Sequence, residues 1–420
     1  MITFNKYDLV RGFSEVVDMV NTTLAHHHLR VAYIAGELCS RLSISAEDRA
    51  QVVMASMLHD LGVIPLQDST DDLVFESDMN RHSLAGYLLL ASCPLTRREA
   101  ELVRYHHTNW RDALNLPESE REVAFLGNLI HLADIMDVHI RIGSNPDSLR
   151  KALKVNSGRA FSIKALNAAE DMLSAPGFFE SLTEAAGNLR CPADVNLMLS
   201  SEDVTVFSML FSHVIDSRSP FTAAHSTGVA HLALHLYNLA DLPAEERSAM
   251  FIASLLHDIG KMGVPLNLLE KPGRLTEEEF SQISCHAALS YRVLMSIAGF
   301  EPYAGWGAWH HEKLNGSGYP SGLAGGDIPL EARITAVADV MTAMTEDRPY
   351  RQGMPLSKAV ELLDEMVKAG ELDDDVVALV HDNLDEVNET RHRAQVLARH
   401  FFSGLNRDIK TAVSGAGNCR

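Results

Sequence analysis

The chain has 420 residues, 46% of them hydrophobic, and a formal net charge of −20 at pH 7. That length suits two domains of about 200 residues better than one core. The acidic balance excludes a general binder of nucleic-acid polymer or anionic membrane, both of which reward a basic surface.

Along the chain, Met1-Ile2-Thr3-Phe4-Asn5-Lys6 has no basic stretch leading into an apolar core, and no apolar run reaches membrane-spanning length. The five cysteines are odd in number and form no Cys-x-x-Cys pair, so they read as reduced thiols. A cytoplasmic location is expected. Apolar residues then recur at helical spacing almost everywhere. Ile44-Ser45-Ala46-Glu47-Asp48-Arg49 starts a helix, its early carboxylates suiting the dipole. The run Val52–Leu58 is a buried helix that carries His59-Asp60 at its inner end. Residues 147–190 read as further helices. A boundary falls near residue 200, where Ser and Glu of Leu199-Ser200-Ser201-Glu202 can open a helix. The pattern then repeats: Leu242–Arg247 opens a helix, Met250–Leu256 is buried, and His257-Asp258 follows. Helices continue over 355–400, and Ser414–Asn418 reads as a frayed end. The fold class is all-α, two helical bundles in tandem over 1–200 and 201–410, with a flexible tail at 411–420.

The repeat extends to chemistry. His27, His59-Asp60, His82, His106-His107 and Asp134 return as His225, His257-Asp258, His286, His310-His311 and Asp339. From 27 to 59 and from 225 to 257 the step is 32 residues, and from 82 to 106 and 286 to 310 it is 24. Internal self-similarity of this kind marks a repeated unit. Five His and two Asp exceed what one tetrahedral ion needs, and their mixture of imidazole and carboxylate suits two divalent transition metals. A lone buried His is usually a hydrogen-bonded core residue, whereas seven in register read as a ligand set. In that set Asp258 bridges both ions, and Lys261, three residues on, steadies a phosphate oxygen or protonates a leaving group. His213, His231, His235 and His381 have no counterpart at matching spacing and are left as core or surface residues.

His257-Asp258-Ile259-Gly260-Lys261, His310-His311-Glu312 and Gly318-Tyr319-Pro320 resemble the HD-GYP phosphodiesterases, a branch of the HD metallohydrolase superfamily. The resemblance continues through Ile328–Ile334, Ala338-Asp339-Val340 and Asp347-Arg348-Pro349-Tyr350-Arg351, covering about residues 216–355. It implies two tandem HD-type bundles, a dinuclear iron or manganese centre, and hydrolysis of cyclic di-GMP or 3',3'-cyclic GMP-AMP to a linear dinucleotide. It also implies that His225, His257, Asp258, His286, His310, His311 and Asp339 are ligands. Lys261, Arg348 and Arg351 would contact substrate phosphates, where arginine gives two-pronged contacts. Gly318, Tyr319 and Pro320 would shape the site or a surface for a protein partner or a second copy. Some members hold a third metal with a Glu four residues before the first ligand His; Phe221 stands there, so two ions are expected.

The first copy keeps all seven ligand positions, but Val63 replaces the lysine, no Gly-Tyr-Pro follows His107, and Arg141 is the one basic residue near Asp134. It resembles a plain HD domain over about 20–140. Its expected roles are a second metal site, centred on His59 and Asp60, that removes the 5'-phosphate of the linear product, or a structural prop. Competing readings of the whole chain are a non-catalytic dinucleotide sensor and an HD nucleotide phosphohydrolase.

Overall fold

The computed structural model describes residues 4–20, 26–66, 80–190, 195, 197–218, 224–347 and 352–416. Apart from a two-stranded antiparallel ribbon, Phe4–Asn5 against Met198–Leu199, and one isolated bridge, all regular structure among these residues is helical.

The chain forms two compact units, Phe13–Leu197 with Leu405–Arg420, and Met1–Gly12 with Met198–Gly404. The ends therefore depart from the expected 1–200 and 201–410 division. The reason at the N-terminus is apolar: buried Phe4 pairs with Leu199 and packs 6.3 Å, centroid to centroid, from Phe300. At the other end the helix Leu384–Ala416 is continuous, with Ile409 and Val413 buried. The flexible tail expected from 411 is thus helical as far as Ala416, because its apolar stripe has a face to bury.

Within the first unit the helices His27–Arg41, Ala46–Leu58, Asn80–Ala91, Arg97–Tyr105 and Glu118–Arg141 carry or run directly into the repeated residues, and Pro146–Val155, Ile163–Leu173 and Phe178–Gly187 follow. Ser45 caps the second of these by accepting from the Asp48 amide. Every residue of Val52–Leu58 is buried, each large apolar side chain contributing roughly 1.5–3 kcal/mol. Among the described residues Glu118–Arg141 is the one helix long and apolar enough to cross a membrane. It also buries Asp134 and Asp137, and its apolar residues Leu126, Leu129 and Ile130 lie in the core of the unit.

The second unit repeats the arrangement with Ser201–Ser217, His225–Leu239, Arg247–Leu255, Glu277–Ser296, Ala304–Ala308 and Leu330–Thr345. Its first helix begins with a capping box between Ser200 and Asp203. One device occurs in both units. A Cβ on Gly62 would lie 2.0 Å from the His82 carbonyl oxygen, and one on Gly260 would lie 2.0 Å from that of His286. Only glycine lets the turn after each His-Asp pair press against the helix that carries the next histidine of the repeat.

Candidate metal centres

In the second unit the two paired motifs stand just past helix ends. Arg247–Leu255 ends before His257, and Ala304–Ala308 ends before His310. Carbonyls in a last helical turn have no intrahelical donor. The Ser254 carbonyl accepts from His257 Nδ1 at 2.8 Å, and the Gly307 carbonyl accepts from His310 Nδ1 at 2.7 Å. His286, on Glu277–Ser296, donates from Nδ1 to the Ile283 carbonyl at 2.8 Å. A carbonyl can only accept, so each ring is held with its Nε2 lone pair free to bind.

Those lone pairs converge. Nε2 of His257, His286 and His310 and Oδ1 of Asp258 are buried without a hydrogen-bond partner among the described residues. Asp258 reaches both ways: Oδ2 is 3.1 Å from His257 Nε2, and Oδ1 is 3.3 Å from His286 Nε2 and 3.8 Å from His310 Nε2. Asp339 Oδ1 lies 3.0 Å from His225 Nε2 and 3.9 Å from His257 Nε2. Two donor groups result, His225–His257–Asp339 and His286–His310–His311, with donor atoms in each within 4.8 Å of one another. A third group, His257–Asp258–His310, joins them. Leaving such groups unpaired costs about 1–3 kcal/mol each, and the mixed donors fit divalent transition ions.

The electrostatics of Asp258, His310 and His311 agree with that fit. Burial would raise the Asp258 carboxyl, but His257 and Lys261 hold it well below the usual range. Burial, His311 and His257 push His310 well down, and burial takes His311 to about 4, so both rings are neutral and ready to ligate. Lys261 Nζ donates to Asp258 Oδ2. Burial would lower His225, yet Glu346 and Asp339 carry it well above its ordinary value.

The Gly-Tyr-Pro segment folds back over this centre. Tyr319 donates its amide to the His311 carbonyl at 3.2 Å, and its ring lies 4.8 Å from that of His311. The buried Glu312 carboxylate accepts from the amides of Ser321 and Leu323 at 2.6 and 2.9 Å, closing the loop. A Cβ on Gly318 would meet the Lys313 nitrogen at 2.4 Å and the His311 oxygen at 2.5 Å. The Tyr319–Pro320 peptide is cis. Arg348, Arg351 and Phe221 lie outside the described residues.

The first unit builds a similar cluster. His59 and His106 donate from Nδ1 to the carbonyls of Ser56 and Val103 at 2.8 and 2.6 Å. Asp60 Oδ2 lies 3.2 Å from His59 Nε2 and 3.8 Å from His27 Nε2, and Oδ1 lies 3.6 Å from His82 Nε2. Asp134 Oδ1 is 3.4 Å from His27 Nε2. The Nε2 atoms of His106 and His107 approach that of His82 to 3.3 and 2.9 Å. His82–His106–His107 and His27–His59–Asp60 form the two donor groups.

Similarity to known proteins extends into both units. HD-domain models match residues 24–138 and 209–376. A 3'3'-cGAMP-specific phosphodiesterase 1 of Vibrio cholerae is 32% identical over 384 residues, 87% of this chain and 89% of that protein. The chain belongs to the HD-GYP branch of the HD superfamily. A cyclic di-GMP phosphodiesterase response regulator of Xanthomonas campestris is 35% identical over 188 residues, 44% of this chain and 49% of its own. The crystal structure of a cyclic GMP-AMP-specific phosphodiesterase of Vibrio cholerae superposes with a TM-score of 0.65 at 22% identity, covering 91% of this chain and 98% of that one, a likeness of fold.

This HD-GYP chain also holds residues at its centres that the spacing rule passed over. Glu346 Oε2 lies 3.2 Å from His225 Nδ1, and Asp137 Oδ2 lies 2.7 Å from His27 Nδ1. Steps of three from Asp134 and seven from Asp339 put each on or just beyond its helix's ligand face, a signal that was available. His131 packs 4.9 Å from His107, and His28 lies beside His27 with its ring 5.1 Å from His59.

Proposed function

We propose that the second domain opens the ring of a bacterial cyclic dinucleotide by water attack at phosphorus. The P–O3' bond breaks, the 3'-oxygen takes a proton, and the product is a linear dinucleotide with a terminal 5'-phosphate. The observation that carries this reading is the pair of histidine groups joined by the two oxygens of Asp258. The family relationship supports the substrate class, and similarity to a 3'3'-cGAMP-specific relative over nearly its whole length favours 3'3'-cGAMP over cyclic di-GMP. Two ions, iron or manganese, would supply Lewis acidity toward water and the phosphate oxygens. His225, His257 and Asp339 would hold one, His286, His310 and His311 the other, with Asp258 shared.

Lys261 adds to His257 in favouring the ionised form of the shared carboxylate and, when substrate enters, would turn toward a phosphate oxygen or the departing 3'-oxygen. Tyr319 covers His311 and excludes water from that side. Arg348 and Arg351 are assigned to the phosphates on the strength of the motif. Being small and anionic, the substrate needs only this local positive patch inside an acidic protein.

For the first domain the proposed role is removal of the terminal 5'-phosphate from the linear product. It has a ligand set like that of the second, and its sequence lacks the lysine, the Gly-Tyr-Pro segment and the paired arginines. The test is to incubate metal-loaded protein with each dinucleotide and separate the products. Wild type should yield linear dinucleotide and then inorganic phosphate, and Asp60→Asn should linearise the ring but release no phosphate. Intact ring in every wild-type reaction would favour a non-catalytic sensor. Unchanged phosphate release from Asp60→Asn would favour a structural first domain.

A further inference from the structure

His28 is fully buried and has a carboxylate behind it: its Nδ1 lies 2.5 Å from Asp18 Oδ1. Its other nitrogen, Nε2, is buried, has no hydrogen-bond partner among the described residues, and lies 3.7 Å from Asp60 Oδ2. That is too long for a hydrogen bond, yet within the span of two donors each about 2.0–2.2 Å from one ion. The rings of His27 and His59 both lie 5.1 Å from that of His28, so three imidazoles surround one side of Asp60.

The second domain supplies the control. Ser226 follows its first ligand position as His28 follows His27, and Ser226 Oγ donates to Asp216 Oδ1 at 2.8 Å, ten residues earlier. Asp18 precedes His28 by the same ten residues. Both copies therefore keep the carboxylate and a donor for it. A serine satisfies that carboxylate without leaving a second nitrogen aimed at the centre; a histidine does not. If His28 served only Asp18, its Nε2 would be a buried polar atom with no compensation, which is rare in folded proteins. Carboxylate, imidazole and metal in line form the usual support of a ligating histidine.

We propose that His28 is an additional metal ligand of the first domain, held by Asp18 as its positioning residue. It joins the ion bound by His27, His59, Asp60 and Asp134, and makes that end of the centre richer in imidazole than its counterpart in the second domain. The proposal rests on the reading that the first domain binds metal.

The test counts manganese per full-length chain during titration with a chelator, in wild type, Asp60→Asn, His28→Ser and Asp18→Asn. His28→Ser reproduces the second domain's own solution for the carboxylate, so its chelated form should unfold near the wild-type temperature. It should lose one ion at about 10–100-fold lower chelator than wild type, and Asp18→Asn, which keeps the ring, should move in the same direction. Wild-type retention of every ion in both variants, with loss in Asp60→Asn, would overturn His28 as a ligand. Wild-type retention in Asp60→Asn as well would overturn metal binding by the first domain itself, and His28 with it. Because Asp18→Asn is read the same way, a His28→Ser chain that fails to fold still leaves a decisive measurement.

Discussion

Glu346 lies 121 residues from His225 in the chain, yet its carboxylate meets the ring nitrogen that faces away from Asp339, at 3.2 Å. Gln395, on the long C-terminal helix, donates to the same carboxylate oxygen, also at 3.2 Å. Such a partner fixes the tautomer of a ligating imidazole and raises its basicity. Glu346→Gln keeps the shape and removes the charge. One ion of the second domain should then bind about 10–100-fold more weakly, while the other stays. Metal analysis across a chelator series reads this directly, and an unchanged profile would show that Glu346 has no part in holding the centre.

Asp258 and Lys261 separate metal binding from substrate binding. Asp258→Asn takes a charged donor from both groups at once, so the second domain should lose most of its metal and all ring opening. Lys261→Ala and Arg348→Ala should keep full metal content and lose roughly tenfold or more in kcat/KM, as expected for one charge-assisted contact of about 1.5–3 kcal/mol. Full turnover in Asp258→Asn would refute the shared carboxylate.

Gly318→Ala tests the loop with one methyl group. The added carbon would lie 2.4–2.5 Å from three backbone atoms of residues 311–313, so the segment must move and Tyr319 must leave His311. Turnover should fall at least tenfold with metal content retained, since no ligand is altered. Kinetics equal to wild type would mean that Tyr319 does not shape the site.

Acid sensitivity of the metal-free protein follows from His131. Burial, with His59 and His82 adding to it, lowers this ring from 6.5 to about 4. As pH falls, the unfolded chain takes up that proton first, so the contribution of His131 is lost from about pH 6.5 down to about 4 and changes no further below. His131→Leu should flatten part of that loss in thermal unfolding of the chelated protein. An identical pH slope in variant and wild type would remove His131 from the account.

The repeated order His, His-Asp, His, His-His, Asp is legible because the same residue types return at matching intervals while the residues between them vary. The all-α class was legible for a similar reason: burying one helix face imposes a period on each segment whatever its neighbours. Glu346 and Asp137 stand at helical steps from Asp339 and Asp134, but the rings they meet lie 121 and 110 residues away, and no spacing rule names them; the contact of His28 with Asp18 spans ten residues between two consecutive helices.

Residue types and their intervals, read alone, show that one order of seven residues occurs in each half, and that only the second half carries the lysine and the Gly-Tyr-Pro segment. Tertiary structure decided how they are aimed. The pairs sit beyond helix ends, where helix-end carbonyls hold Nδ1 and leave Nε2 for the centre. Packing also sent Met1–Gly12 to the second unit and Leu405–Arg420 to the first. An apolar side chain such as Phe4 is stabilised by whichever surface buries it, and that surface exists only once the remote helices have assembled.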